Sequence, residues 1–257
     1  MTRHLALEGV DNFRDYGDYP TVGGRRLKRG VLYRSAAHSR ATDADLEQLS
    51  TLNIAVVVDL RRKEEREREP SRRPASFSGV VIANDVEHEE DDWRNHVASG
   101  DMTAQSSRDY LIDYYRRAPF DERHIDLFTR YFAALADLEG PVLIHCAAGK
   151  DRTGILAALT HHVAGVHRDD MVADYLLTNS AVRMAQRLPL VSQAIHEISG
   201  KIPDAQAVLT VMSVDTVYLD TAFAAIAERH GEKDTYLEKV LGVTPAMREA
   251  LAVRLLE

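Results

Sequence analysis

Apolar positions along this chain follow two different spacings, and the switch between them sets the element order. Short continuous runs rich in β-branched residues occur at 54–60 (IAVVVDL), 79–83 (GVVIA) and 141–146 (PVLIHC). Each is too short for a packed helix and reads as a buried parallel strand. Helical spacing governs 109–117 and 121–138, where Leu127, Phe128, Tyr131, Phe132 and Leu135 fall on one face. Gly140 and Pro141 end that pattern, and a further helix follows the third strand and closes at Gly165. Helical patterns continue at 169–178, 181–199, 214–229, 234–241 and 245–256, the last opened by Thr244 and Pro245. Earlier, Thr42 and Asp45 form a capping-box pattern for a helix over 43–52. Residues 9–35 read as irregular and then hairpin-like, with a turn at Gly23-Gly24. The run 61–70 (RRKEEREREP) reads as a solvated charged helix or loop ended by Pro70, and 84–108 as a polar loop or irregular helix around Trp93. Strands alternate with helices early and helices dominate late, which predicts an α/β fold with a small, mainly parallel central sheet flanked by helices and a helical C-terminal half. No internal repeat or low-complexity linker interrupts the chain, and 1–257 is treated as one domain.

Bulk composition narrows the partners. The chain is 45% apolar and 28% charged, the balance of a water-soluble globular protein. A net charge of −8 argues against a general nucleic-acid binder, which needs a basic surface. It leaves an anionic substrate open, because a pocket is steered by its local field. No apolar run reaches the roughly 20 residues of a membrane helix, and the N-terminus lacks the apolar core of a signal peptide, so a cytoplasmic location is expected. The single cysteine forbids an intrachain disulfide and fits a reducing compartment.

That cysteine lies in the segment His145 to Gly154, HCAAGKDRTG, between a predicted strand and a predicted helix. Cys146 is followed by five residues and then Arg152. A thiol is a modest nucleophile until its proton is gone, so the surroundings must favour the anion. Backbone N–H groups of Ala147, Ala148, Gly149, Lys150, Asp151 and Arg152 form such surroundings if they curl inward as a nest, and the next helix adds its positive end. Gly149 supplies the backbone freedom for the curl. The same N–H groups suit phosphate oxygens, and the planar guanidinium of Arg152 suits two of them. The expected chemistry is attack of Cys146 on phosphorus, a cysteinyl-phosphate, and hydrolysis by water, with no metal and no cofactor. Thr153 is placed to offer its hydroxyl to the departing sulfur, and His145 to hold the loop by hydrogen bonds.

The loop resembles the signature of the protein tyrosine phosphatase superfamily, and the chain as a whole is similar to its bacterial tyrosine phosphatases. NFRDYG (12–17), LYRSA (32–36), DLRRKEE (59–65) and YLEKVLGVT (236–244) carry the resemblance beyond the loop. The resemblance implies a phosphatase-like fold with the loop at the C-terminal end of a strand. It implies activity on phosphotyrosine, extending to phosphoserine, phosphothreonine or phosphoinositides, so a phosphorylated protein or a phosphoinositide is the expected partner. Lys150 matches a lysine seen in inositide phosphatases. Departures are Tyr16 and Asp18, where the family often has Leu and Gly, and Ala147, where a relative carries an aromatic.

Expulsion of an alcohol or phenol benefits from a general acid. The resemblance points to Asp151 within the loop. Asp59 competes, since it ends a strand expected at the same sheet edge, with pairing to Arg61 as its structural alternative; Asp85 comes third. Arg14, Asp15 and Arg34 are expected as anchors near the loop, and 181–205 as helices that form a lid or pack conventionally. Two other functions remain: an inositol-phosphate or phosphoinositide phosphatase, and a non-catalytic phosphate-binding module. Arsenate reduction fits poorly, because it calls for further thiols.

Overall fold

The computed structural model describes residues 3–86, 92–99, 101–181 and 183–257. Its five strands are β1 (Arg14–Asp15), β2 (Leu32–Ser35), β3 (Val56–Asp59), β4 (Val80–Ile82) and β5 (Val142–His145). They form one sheet in the order β1-β2-β5-β3-β4. Only the β1–β2 pair is antiparallel. The apolar runs 54–60 and 141–146 thus became central strands buried on both faces, as their lack of alternation predicts, whereas 79–83 became the edge strand β4, whose Val80 and Val81 are exposed. Val56, Val58, Val142 and Ile144 point into the main core, while Val57 and Leu143 point into a second cluster on the opposite face. The register places Ser35, Asp59 and His145 side by side at the C-terminal edge of three parallel strands. Whatever follows His145 therefore emerges at one edge with β2 and β3 as walls.

The helices are α1 (Asp43–Ser50), α2 (Lys63–Arg68), α3 (Asp92–Ala98), α4 (Ala104–Arg117), α5 (Glu122–Asp137), α6 (Asp151–Val163), α7 (Arg168–Leu176), α8 (Thr178–Ala181), α9 (Met184–Ser199), α10 (Ala205–Met212), α11 (Thr216–His230), α12 (Lys233–Lys239) and α13 (Pro245–Leu255). Thr42 and Asp45 make the expected capping box on α1. Three features differ from the sequence reading. The polar stretch 84–108 contains α3 and the first turns of α4, which starts at a Thr103 cap. Residues 87–91 and 100 of that stretch, and residue 182 of the helix expected over 181–199, lie outside the described residues. The run 61–70 is not merely solvated, because Arg61 is buried and Glu65 of α2 faces inward. Finally, the sequence reading has no helix at α10; Asp204 caps it, and it buries Ala207, Val208, Val211 and Met212 along one face.

Most helices enclose the main core with the sheet. A separate apolar cluster joins α3, α9 and α10 through Val97, Ile195, Val208 and Met212. The 181–205 stretch therefore packs as part of a small helical layer with its own core.

Candidate active site

The segment after β5 curls tightly because its carbonyls are pulled outward. Ala37 N–H donates to Ala147 O at 3.0 Å. Asn12 Nδ2 donates to Gly149 O at 2.8 Å, and Arg34 Nη2 donates to the same oxygen at 3.0 Å. With those carbonyls held outward, the N–H groups of the loop are left to face its centre, the arrangement of an anion nest. Gly149 is at φ +68°, and a Cβ there would lie 2.3 Å from Ser35 O. No other residue fits that position without moving β2. The helix α6 starts at Asp151, so its N-terminal turn and positive dipole end complete the cradle.

The anchors are themselves fixed by a buried charge cluster. Asp174 of α7 accepts from Arg14 Nε at 3.1 Å and from Arg34 Nη1 at 2.9 Å, and all three side chains are almost fully buried. Arg14 also donates to Asn12 Oδ1, orienting the amide that grips the loop. Burial alone would raise the Asp174 carboxyl, but the two guanidinium charges prevail and hold it far below the usual carboxylate range. Arg14 and Arg34 thus stand where the sequence put them, as anchors. Asp15 ends β1, and its carboxylate accepts from the N–H groups of Gly17 and Gly30 rather than from the loop. Asp18 adopts φ +57°, which explains why a glycine is common there in the family pattern.

Cys146 is 2% exposed, and Gly149 N–H donates to its Sγ at 3.2 Å. Arg152 reaches back over the loop to α2. Its Nη1 donates to Glu65 Oε2 at 2.6 Å and to Leu60 O at 3.1 Å, and its Nη2 to Glu65 Oε1 at 2.8 Å. A guanidinium has five N–H donors. Three are spent on Glu65 and Leu60, which leaves Nε–H and one Nη2–H, a parallel pair on one edge. Glu65 Oε2 also accepts from Arg62 N–H at 2.7 Å, so one carboxylate caps α2 and fixes Arg152. Although burial would raise its pKa, the Arg152 charge and hydrogen bonds hold Glu65 well below the carboxylate range.

Asp151 lies between two donors. Lys150 Nζ approaches Asp151 Oδ1 at 2.8 Å, and Tyr115 Oη donates to the same oxygen at 2.9 Å. Tyr115 Oη is in turn 2.7 Å from Tyr175 Oη. Gly154 admits the Tyr175 ring, since a Cβ there would lie 2.8 Å from it. Lys150 is buried and turned onto Asp151. Tyr114 feels the charges of Arg152, Asp151 and Cys146 together, which places its half-buried phenol beside the loop. Thr153 Oγ1 is buried and has no hydrogen-bond partner, Cys146 Sγ included. His145 holds the loop only loosely: Nδ1 is 3.4 Å from Cys146 O, Nε2 is 3.6 Å from Asp59, and the ring packs on His38. Ala147 and Ala148 are exposed at the mouth.

Asp59 stands at the predicted sheet edge, yet both its oxygens are engaged. Arg61 Nε and backbone N–H donate to Oδ1 at 2.9 and 3.1 Å, and Arg61 Nη2 to Oδ2 at 2.8 Å. Burial would raise its pKa, but its charge interaction with His145 and the hydrogen bonds and charge of Arg61 outweigh that and set it at about 2. At neutral pH it has no proton to give. Its stabilising contribution is therefore complete above pH ~4 and is lost as pH falls from ~4 to ~2, amounting to about 2 kcal/mol. Urea unfolding of Asp59→Asn at pH 5, 4 and 3 should show a correspondingly shallower acid loss than the parent chain; parallel curves would refute the assignment. Asp85 is mostly exposed and pairs with Arg66.

Glu65, Asn12, Asp174, Tyr115 and Tyr175 are the residues that sequence reasoning missed. Asn12 and Glu65 fall inside the quoted NFRDYG and DLRRKEE stretches, which was the available signal. The start of α9 is joined to the same anchor region: Arg183 and Arg187 each donate from Nε to a different oxygen of the buried Asp11 carboxylate. A cavity of about 460 Å³ opens on the opposite side of the sheet and reaches the loop only at His145, so it holds none of this chemistry.

Comparison with known proteins agrees with this geometry. A Cupriavidus necator protein designated a tyrosine-protein phosphatase is 34% identical, with 95% of this chain and 86% of that one aligned. The triple specificity protein phosphatase PtpB of Mycobacterium tuberculosis is 31% identical over 90% of this chain and 91% of its own. The model of the tyrosine phosphatase family matches residues 5–257, and the chain belongs to that family.

Proposed function

We propose that the protein hydrolyses phosphotyrosine by way of a cysteinyl-phosphate on Cys146. The observation that carries this reading is the Gly149 N–H aimed at Cys146 Sγ at 3.2 Å, within a loop whose Ala147 and Gly149 carbonyls are drawn the other way. A ring of inward N–H groups around a sulfur favours its anion and fits the equatorial oxygens of a phosphoryl group. Sγ attacks phosphorus as the P–O bond to the phenol breaks. Nε–H and the remaining Nη2–H of Arg152 take two phosphoryl oxygens, and Asp151 gives its proton to the leaving oxygen. Water then attacks phosphorus, the S–P bond breaks, and the proton of that water returns to Asp151. Thr153 Oγ1, unpartnered in the resting loop, is available to the sulfur as it leaves.

The relative from Mycobacterium tuberculosis is named for triple specificity, so the test spans substrate classes. Phosphotyrosine, phosphoserine and phosphothreonine peptides and a phosphoinositide should be compared by kcat/KM. The expected order puts phosphotyrosine first, because an aryl leaving group needs less protonation and Tyr114 offers a ring beside the loop. Inositide turnover far above that of all peptides would replace the proposed substrate. Binding of phosphopeptide with no turnover at all would make the protein a phosphate-binding module.

A further inference from the structure

The two hydrogen bonds on Asp151 are not symmetrical, and the asymmetry selects one oxygen for chemistry. Both Tyr115 Oη and Lys150 Nζ converge on Oδ1. Among the described residues nothing donates to Oδ2, and the side chain keeps 21% of its surface exposed. An oxygen that accepts two hydrogen bonds, one from a cation, is a poor place for a proton. The proton of the neutral acid therefore resides on Oδ2. Tyr115 has a single hydroxyl hydrogen, and giving it to Asp151 leaves the Tyr175 hydroxyl, 2.7 Å away, as the donor to Tyr115. Burial drives both phenol pKa values well above their ordinary value, so both hydroxyls keep their protons and remain donors. Tyr115 belongs to α4 and Tyr175 to α7, so the carboxyl of a loop residue is held by two helices outside the loop.

We infer that Tyr115, backed by Tyr175, is a positioning residue that occupies Asp151 Oδ1 and so presents Oδ2 as the oxygen that carries and delivers the proton. In the first half-reaction the proton passes from Oδ2 to the leaving oxygen as the P–O bond breaks and the S–P bond forms; neither tyrosine gains or loses one. The inference rests on Asp151 as the general acid. Its function is orientation, so losing it penalises substrates in proportion to how much protonation their leaving group needs.

The test uses the full chain with p-nitrophenyl phosphate, whose leaving group needs little protonation, and phenyl phosphate, whose leaving group needs more. The readout is kcat/KM, which covers the step that expels the leaving group. Asp151→Asn should lose about 10²-fold on phenyl phosphate and much less on p-nitrophenyl phosphate. Tyr115→Phe should lose about 10-fold on phenyl phosphate and under about 2-fold on p-nitrophenyl phosphate, with Tyr175→Phe between it and the parent. The double variant Tyr115→Phe/Asp151→Asn should match Asp151→Asn alone, because there is no acid left to orient. A general loss of stability would lower both rates together and leave their ratio unchanged, and Tm is measured alongside. If Tyr115→Phe does not fold, Tyr175→Phe carries the same ratio test. Discrimination by Asp151→Asn with none in either tyrosine variant overturns the inference and leaves Asp151 in place. No discrimination by Asp151→Asn removes the acid itself, and the inference with it.

Discussion

Cys146→Ser is expected to lower turnover of p-nitrophenyl phosphate by about 10⁴-fold or more while phosphate still binds. The two halves of that result come from different atoms. Binding relies on the inward N–H groups and on Arg152, and their geometry is set by Asn12, Arg34 and Ala37 acting on the loop carbonyls. None of those contacts involves sulfur. Attack on phosphorus relies on an anion at Sγ, and a serine hydroxyl in the same place keeps its proton at neutral pH. Calorimetry with inorganic phosphate and a turnover assay separate the two. An unchanged rate would show that Cys146 is not the nucleophile. Loss of phosphate binding together with activity would show that the loop needs the thiol to keep its shape.

Arg152→Lys should cost about 10²- to 10³-fold in kcat/KM, although the charge is retained. Arg152 does two jobs with one plane. Its end-on fork engages Glu65, its Nη1 also reaches Leu60 O, and the edge made of Nε–H and Nη2–H is left for substrate. An ammonium has three donors radiating from a point and cannot serve a carboxylate and two coplanar phosphoryl oxygens at once. The lysine variant should also leave Glu65 imperfectly paired in a mostly buried place. The signature is loss in both kcat and KM, with Glu65→Gln giving a weaker version of the same change because a neutral amide still accepts one N–H. Equal activity of Arg152→Lys and the parent would mean that the fork is not used.

The Cys146-to-Arg152 segment and three of the five strands were legible because each is encoded within a few consecutive residues. Three short, β-branched apolar runs bounded by turn residues read as strands, and Cys146 to Arg152 is one uninterrupted stretch of sequence. What the sequence hid is what the loop needs from far away. The carboxylate that holds Arg152 sits 87 positions earlier, in a run of charges that looks fit only for solvent. Nothing local distinguishes Glu65 from Glu64 or Glu67; the helix phase of α2 and its register against the loop decide which one turns inward. Asp59 illustrates the reverse. Its place at the strand end and its alternative pairing with Arg61 both follow from the sequence, but the coordinates decide between them, since that guanidinium takes both oxygens. The helix α10 escaped although Ala207, Val208, Val211 and Met212 share one face, because eight residues carry only about two turns of that spacing.

The carboxylate of Asp174 has a consequence for how the enzyme comes into being. Arg14 and Arg34 find this partner 160 and 140 positions downstream, and Asn12 is aimed by Arg14. A ribosome adds the N-terminal part first, so Arg14, Arg34 and Cys146 are all in place before Asp174 is made. Until then two cationic side chains at the start of the chain have nothing to close upon, and the loop lacks the grip that shapes it. A chain ended between Cys146 and Asp174 therefore carries the sulfur without the carboxylate that fixes the loop's anchors, and the grip on the loop becomes available only after Asp174 has been added.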